Sequence, residues 1–190
     1  MKRIMAVAFL ALLAACRQSP APATLTPQIE PGKFDALYRS MKSIEASTTI
    51  GVTYLKFGEL LQTAATEVSI ARDRAKSDVE KGIVEKFFNV LSEYQDSGIV
   101  WRAKNESTGH LTTDILIGLL KQEPTQQMRT FTALATKYSL PMTDGKTGVL
   151  VYRTIPSDSP QRIWSVASTD LAGVVVLYLD LQTVKPIRKT

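Results

Sequence analysis

Residues 159–181 read SPQRIWSVASTDLAGVVVLYLDL, and their reading decides the fold. Ser159-Pro160 is a helix start, an N-cap followed by Pro at the first helical position, where the missing N–H costs nothing. Ile163, Trp164, Ala167, Leu171, Val174, Val175 and Tyr178 then recur at helical spacing without a miss. Against a helix stand the β-branched Val174-Val175-Val176 and the turn-like composition of 170–173. Read as strands, segments near 148–154, 162–168 and 174–181 form a C-terminal three-stranded β-meander, and the fold is α+β. A complete period outweighs propensity, which is a weak prior. The expectation is therefore an all-α bundle of about five to six helices, with the α+β meander as its alternative. The apolar run Leu171 to Leu179 lies between Asp170 and Asp180 and is too short by itself to span a bilayer.

Working back from this segment, the chain reads as a series of amphipathic helices. Phe34, Leu37, Tyr38, Met41 and Ile44 predict a helix over 33–47, interrupted by Thr48, Thr49, Ile50 and Gly51. Phe57, Leu60, Leu61, Ala64, Val68, Ala71 and Ala75, with Tyr54 before them, predict a second over 53–75. Ser77-Asp78-Val79-Glu80 has the Ser-x-x-Glu spacing of a capping box and opens a third helix to about Lys104. Its stripe is Val79, Ile83, Val84, Phe87, Val90, Leu91, Tyr94 and Trp101, with Gly98 in register where close approach of another helix is expected. A shorter helix is predicted over 112–122. Another starts at Pro124, with Met128, Phe131, Ala135 and Tyr138 buried, and ends at Leu140-Pro141. Residues 142–156 are ambiguous: Asp144-Gly145 is a turn signal, and 148–154 is rich in β formers.

The other end of the chain carries an address. Lys2 and Arg3 precede an uncharged apolar run, Ile4 to Leu13, of signal-peptide length. Small residues then lead to the one cysteine of the sequence, Leu13-Ala14-Ala15-Cys16. This resembles the lipobox of bacterial lipoproteins. The resemblance implies diacylglycerol on the Cys16 thiol, cleavage before Cys16 and acylation of the new amino group. It covers the export segment alone and implies nothing about the mature fold. Two or three chains hold a protein where one gives only reversible binding. Arg17, rather than Asp, follows the Cys, which points to the outer membrane. Residues 17–32 carry Pro20, Pro22, Pro27 and Pro31 and read as a hydrated tether, with a reach on the order of 50 Å when extended. The expected organisation is a signal peptide over 1–15, lipidated Cys16 and tether to 32, one helical domain over 33–184, and a basic tail over 185–190.

Composition limits function. Removing residues 1–15 takes Lys2 and Arg3 from the 23 basic residues and leaves the 18 acidic ones, a net charge near +3. That weak excess on an exported chain argues against nucleic acid. With Cys16 acylated, no thiolate is left for a metal or a disulfide. His110, the sole histidine, follows the turn-rich stretch 105–109 and reads as an exposed loop residue, with no second His or Cys to share a zinc ion. No phosphate-binding or dinucleotide glycine motif occurs, and no Gly-x-Ser-x-Gly turn. Glu80 with Glu85 and Glu93 with Asp96 are carboxylate pairs on polar helix faces, most simply surface charges. Arg72, Arg74 and Lys76 cluster around Asp73 at a helix end, where the dipole favours cations and lipid headgroups are the functional reading. Trp101 and Trp164 read as core. No catalytic, cofactor or metal residue is assigned; Cys16 is the one site. The expected protein is a membrane-anchored envelope lipoprotein that works as a protein-interaction module. A peptidoglycan hydrolase and a plasmid- or phage-borne exclusion lipoprotein are the alternatives.

Overall fold

The computed structural model describes residues 28–107, 114–120 and 123–183. In order they form α1 (Asp35–Ile50), α2 (Tyr54–Arg74), α3 (Asp78–Ser107), β1 (Ile115–Leu119), α4 (Gln126–Lys137), β2 (Thr143–Thr147), β3 (Leu150–Ile155) and α5 (Ser159–Gln182). The fold is mostly helical with a small antiparallel sheet, so the all-α bundle gives way to an α+β fold. Of the expected meander, the strand near 148–154 forms, as β3; the segments near 162–168 and 174–181 are helical, and β1 and β2 take their place in the sheet. Residues 159–182 are one helix, whose stripe buries Ile163, Ala167, Leu171, Val174 and Tyr178. The valine triplet does not break it, because packing of a full apolar stripe outweighs per-residue propensity.

Local chemistry sets the helix ends. The Thr48 and Thr49 hydroxyls donate back to the carbonyls of Ile44 and Glu45, which keeps these β-branched residues helical until Gly51 at φ 102°. The Thr53 hydroxyl accepts from Lys56 N–H at 3.3 Å and caps α2. Both arms of the α3 capping box are made: Glu80 N–H to Ser77 Oγ at 3.2 Å, and Ser77 N–H to Glu80 Oε2 at 3.1 Å. Val79 does not start the buried stripe; it is 39% exposed, and Glu80 turns inward instead. Ser159 is not the N-cap of α5, which is Asp158; the Ser159 hydroxyl is buried on Pro156 O at 2.6 Å.

Short connections at 51–53 and 75–77 make α1, α2 and α3 successively antiparallel. Helix α5 runs back along α3, with Trp164 beside the far end of α3 and Tyr178 beside its start (Phe87–Tyr178 centroids 5.8 Å). The four long helices form an up-down-up-down bundle around Leu37, Met41, Phe57, Val68, Phe87 and Tyr178. Between α3 and α5, at the far end, the chain inserts the sheet and α4. Val100, Ala103 and Ile163 of the long helices join Ile115, Phe131 and Ile155 in a second core there.

Of the helix expected over 112–122, the described residues 114–120 are not helical. Ile115–Leu119 is an edge strand in the order β1-β3-β2, pairing Ile115 with Ile155 and Leu119 with Tyr152. A short apolar run has no period of its own to choose between helix and strand, and the β3 partner chooses for it. Strands β2 and β3 form a hairpin whose turn is Gly148-Val149, with Gly148 at φ 59°; Asp144-Gly145 lies inside β2.

The packed unit begins before Lys33. Ile29 is fully buried, and the N–H groups of Gln28 and Ile29 both donate to Leu181 O, at 3.0 and 3.2 Å. The last five tether positions thus belong to the domain and lie against the end of α5.

Gly98 admits a methyl group. A Cβ there meets Leu61 Cδ1 and Phe57 Cε1 at 3.6 Å, ordinary contact, so Gly98 is not demanded by the approach of α2. Gly98→Ala should stabilise the domain by about 0.5–1 kcal/mol through helix propensity. A rise in the urea midpoint at constant slope is the expected reading.

Candidate functional site

The vacancy beside Gly98 belongs to a groove of about 380 Å³ between the start of α2 and the far half of α3. Its walls are Tyr54, Phe57, Leu61, Ala65 and Ile99, and Gly58 of α2 and Gly98 of α3 also line it. The aromatic side chains behind it are locked together. Trp101 lies 5.4 Å from Tyr54 and 5.2 Å from Trp164, both edge to face, and Phe57 lies 5.5 Å from Trp164. Trp164 Nε1 donates to Ser97 Oγ at 2.7 Å, and that hydroxyl donates to Tyr94 O at 2.6 Å. Trp101 and Trp164 are therefore half-buried supports of this wall, packed against the first core. The rim is polar: Gln62, Gln95 and Arg102, whose Nε donates to Tyr54 Oη at 3.3 Å. Such a surface is apolar with one cation at its edge, and its lining presents no carboxylate, His or Cys.

A second groove, of about 330 Å³, lies between α3 and α5. Here Glu93 meets Asp170 within hydrogen-bonding reach. Glu93 Oε2 is buried and receives no donor from the protein, which leaves a shared proton as the means of satisfying the pair. Burial first, and the Asp170 charge second, push the Glu93 carboxyl up to about 7. Asp96, one turn on, is engaged elsewhere, accepting from Lys137 Nζ at 2.8 Å and Tyr138 Oη at 2.7 Å. Two carboxyls in hydrogen-bond contact are closer than the roughly 5–9.5 Å that glycoside cleavage uses, so the pair as arranged does not suit that reaction.

The pair has a signed consequence. A carboxyl whose folded pKa lies above its ordinary 4.5 binds its proton more tightly in the folded state. Stability then falls as pH rises from about 4.5 to 7 and is lost from this source above it. Glu93→Gln, which remains neutral, should flatten the melting temperature between pH 5 and 8. An unchanged slope in that variant would locate the pH dependence elsewhere.

Other residues singled out from the sequence are accounted for as follows. Cys16 and His110 lie outside the described residues. Glu80 is buried in the α3 cap, while Glu85 accepts from Arg72 Nη2 at 3.0 Å. Arg72 also lies over the Phe88 ring at 4.0 Å, so this member of the basic cluster is structural; Arg74 and Lys76 are exposed. The partner of Glu93 is Asp170 and not Asp96. No sequence signal marked that pairing, because the two are brought together only by the α3–α5 contact. Nor did any mark the groove, whose one hint was the odd glycine at 98. Among the described residues no group of three or more His, Cys, Asp or Glu stands ready to hold a metal ion. No family model, curated protein or solved structure matches the chain.

Proposed function

We propose that this chain is a lipid-anchored lipoprotein of the bacterial envelope, held through Cys16 in the outer membrane, and that its domain binds a partner protein in the α2–α3 groove. The observation that carries the binding role is the composition of that groove: an apolar wall, two glycines in place of side chains, and a single cation at the rim. This suits an amphipathic helix of the partner, with small or aliphatic side chains over Gly58 and Gly98 and a carboxylate reaching Arg102. The position supports it too. Helix α3 rises about 1.5 Å per residue, which sets Gly98 about 27 Å along the bundle from Glu80 and the described start of the chain. A site at that end lies well away from the point where the anchored tether joins the fold. A hydrolase finds a foothold in Glu93 and Asp170, but their spacing argues against the glycoside chemistry such an enzyme would need.

Two variants test the two halves separately. Cys16→Ser should abolish incorporation of a tagged fatty acid and leave the precursor uncleaved; equal label in both proteins ends the lipoprotein reading. Ile99→Arg puts a charge into the groove at a residue that is 43% exposed, so folding should be unaffected. With a photo-crosslinking residue at Gln62, the wild type should give a discrete envelope-protein adduct and Ile99→Arg should lose it. An adduct of equal yield from both excludes the groove as the binding site.

A further inference from the structure

We propose that the last turns of α5, Ala172 to Leu179, lie on an anionic lipid surface, so that the domain rests on the membrane along the half of α5 beside which its described chain begins and finishes. This extends the anchored-lipoprotein reading above and rests on it for the presence of a membrane, though not for the contact itself.

Helix α5 divides in two along its outer side. In its first half the exposed residues are mostly polar, Arg162, Ser165, Thr169 and Asp170, with Val166 alone apolar among them. In its second half it carries Ala172, Gly173, Val176 and Leu179, with Val176 63% and Leu179 48% exposed. A Cβ added at Gly173 meets nothing within 4 Å. By length and composition α5 is also the one described helix apolar enough to cross a bilayer, 24 residues long. Its inner side, however, buries Ile163, Ala167, Leu171 and Tyr178 in the bundle, so one side alone is open to lipid. A helix with one apolar side free fits the plane of a membrane surface.

What covers this patch is indicated by the chain around it. Gln28 and Ile29 bond to Leu181 O, and Gly32 N–H donates to Gln182 Oε1 at 3.3 Å, so both ends of the described chain leave the fold beside the patch. Eleven residues lie between Cys16 and Gln28, twelve steps that reach about 37 Å as polyproline II. An anchor at Cys16 therefore keeps this end, and no other, near the bilayer. Residues 17–27 and 184–190 carry Arg17, Lys185, Arg188 and Lys189 and no acid. Arg74 and Lys76, exposed at the end of α2, close the same end of the bundle, with the exposed Asp73 just before them. Asp180 borders the patch. Basic segments flanking an apolar helix face are the pattern that anionic headgroups attract.

The test uses the full chain, reconstituted in vesicles of phosphatidylglycerol and phosphatidylethanolamine. An environment-sensitive fluorophore is placed at Val176→Cys or, as reference, at Thr63→Cys, exposed on α2. At 176 the emission should shift to the blue and be quenched several-fold by lipids brominated on their acyl chains. At 63 neither should occur, and in phosphatidylcholine vesicles the effect at 176 should weaken. Mass spectrometry of the labelled protein reports Cys16 separately: acyl groups there if the anchor reading holds, a second fluorophore if it fails. A probe at 176 that remains as wet as the one at 63 on vesicle-bound protein overturns the proposal. So does a probe that is shielded but unquenched, with copies crosslinking through 176, which would mark the patch as a contact between two copies.

Discussion

Phe87→Ala should cost the domain about 3–5 kcal/mol, the range for truncating a large buried aromatic. The ring is fully buried on α3, edge to face with Tyr178 of α5 at 5.8 Å, at the centre of the first core. Its removal leaves a cavity between the two helices that share the most contact, and close-packed neighbours refill such a void only in part. Lys86→Ala, one residue away and exposed, should change stability by no more than about 0.5 kcal/mol. Urea melts of the two variants measure the contrast; equal midpoints would contradict the packing of α3.

Glu80→Ala should be the next most damaging single change, at about 3 kcal/mol. One carboxylate holds three partners: Lys33 Nζ at 2.5 Å and the N–H groups of Lys76 and Ser77 at 2.7 and 3.1 Å. Its loss strips the N-terminus of α3 and leaves Lys33, itself little exposed, without its counter-charge. These bonds, the Lys33 contact first, hold the Glu80 carboxyl down at about 2. A carboxyl depressed in the folded state stabilises above its ordinary 4.5, and that stabilisation is lost as pH falls from about 4.5 to 2. Wild type should therefore lose stability steeply in acid, and Glu80→Ala should lose less over the same interval. With Glu93 acting in the opposite direction, stability should peak near pH 4.5–5. A variant with the full acid slope would show that other carboxylates carry it.

Much of the bundle was legible in the sequence because its signals are local. The Ser77–Glu80 box and the stripes of α1, α2 and α5 all lie within a few turns of the residues they order. The sheet was not, because β1 is defined by β3, some 35 residues later, and Leu116-Ile117-Gly118-Leu119 suits either structure until that partner arrives. Val79 misled for a different reason: the capping carboxylate of Glu80 has buried partners waiting for it, and satisfying them displaced the apolar side chain. Ile29 was hidden among prolines, where composition suggested a solvated strand. The acid pair required the register of α3 against α5, which no single-helix pattern contains.

The insertion of the sheet and α4 between α3 and α5 also bears on how the chain finds its fold. Pairing α3 with α5 must close a loop of about fifty residues, a search whose entropic cost rises with the logarithm of loop length. The β2–β3 hairpin closes through a two-residue turn, and α4 packs on β1, its neighbour in the chain, so both pairings are local. Once they have formed, Ile155 and Phe131 offer Val100 and Ala103 a ready apolar seat, and Ile163 reaches it eight residues after the end of β3. The insert then works as a splint: it shortens the effective distance between the two longest described helices.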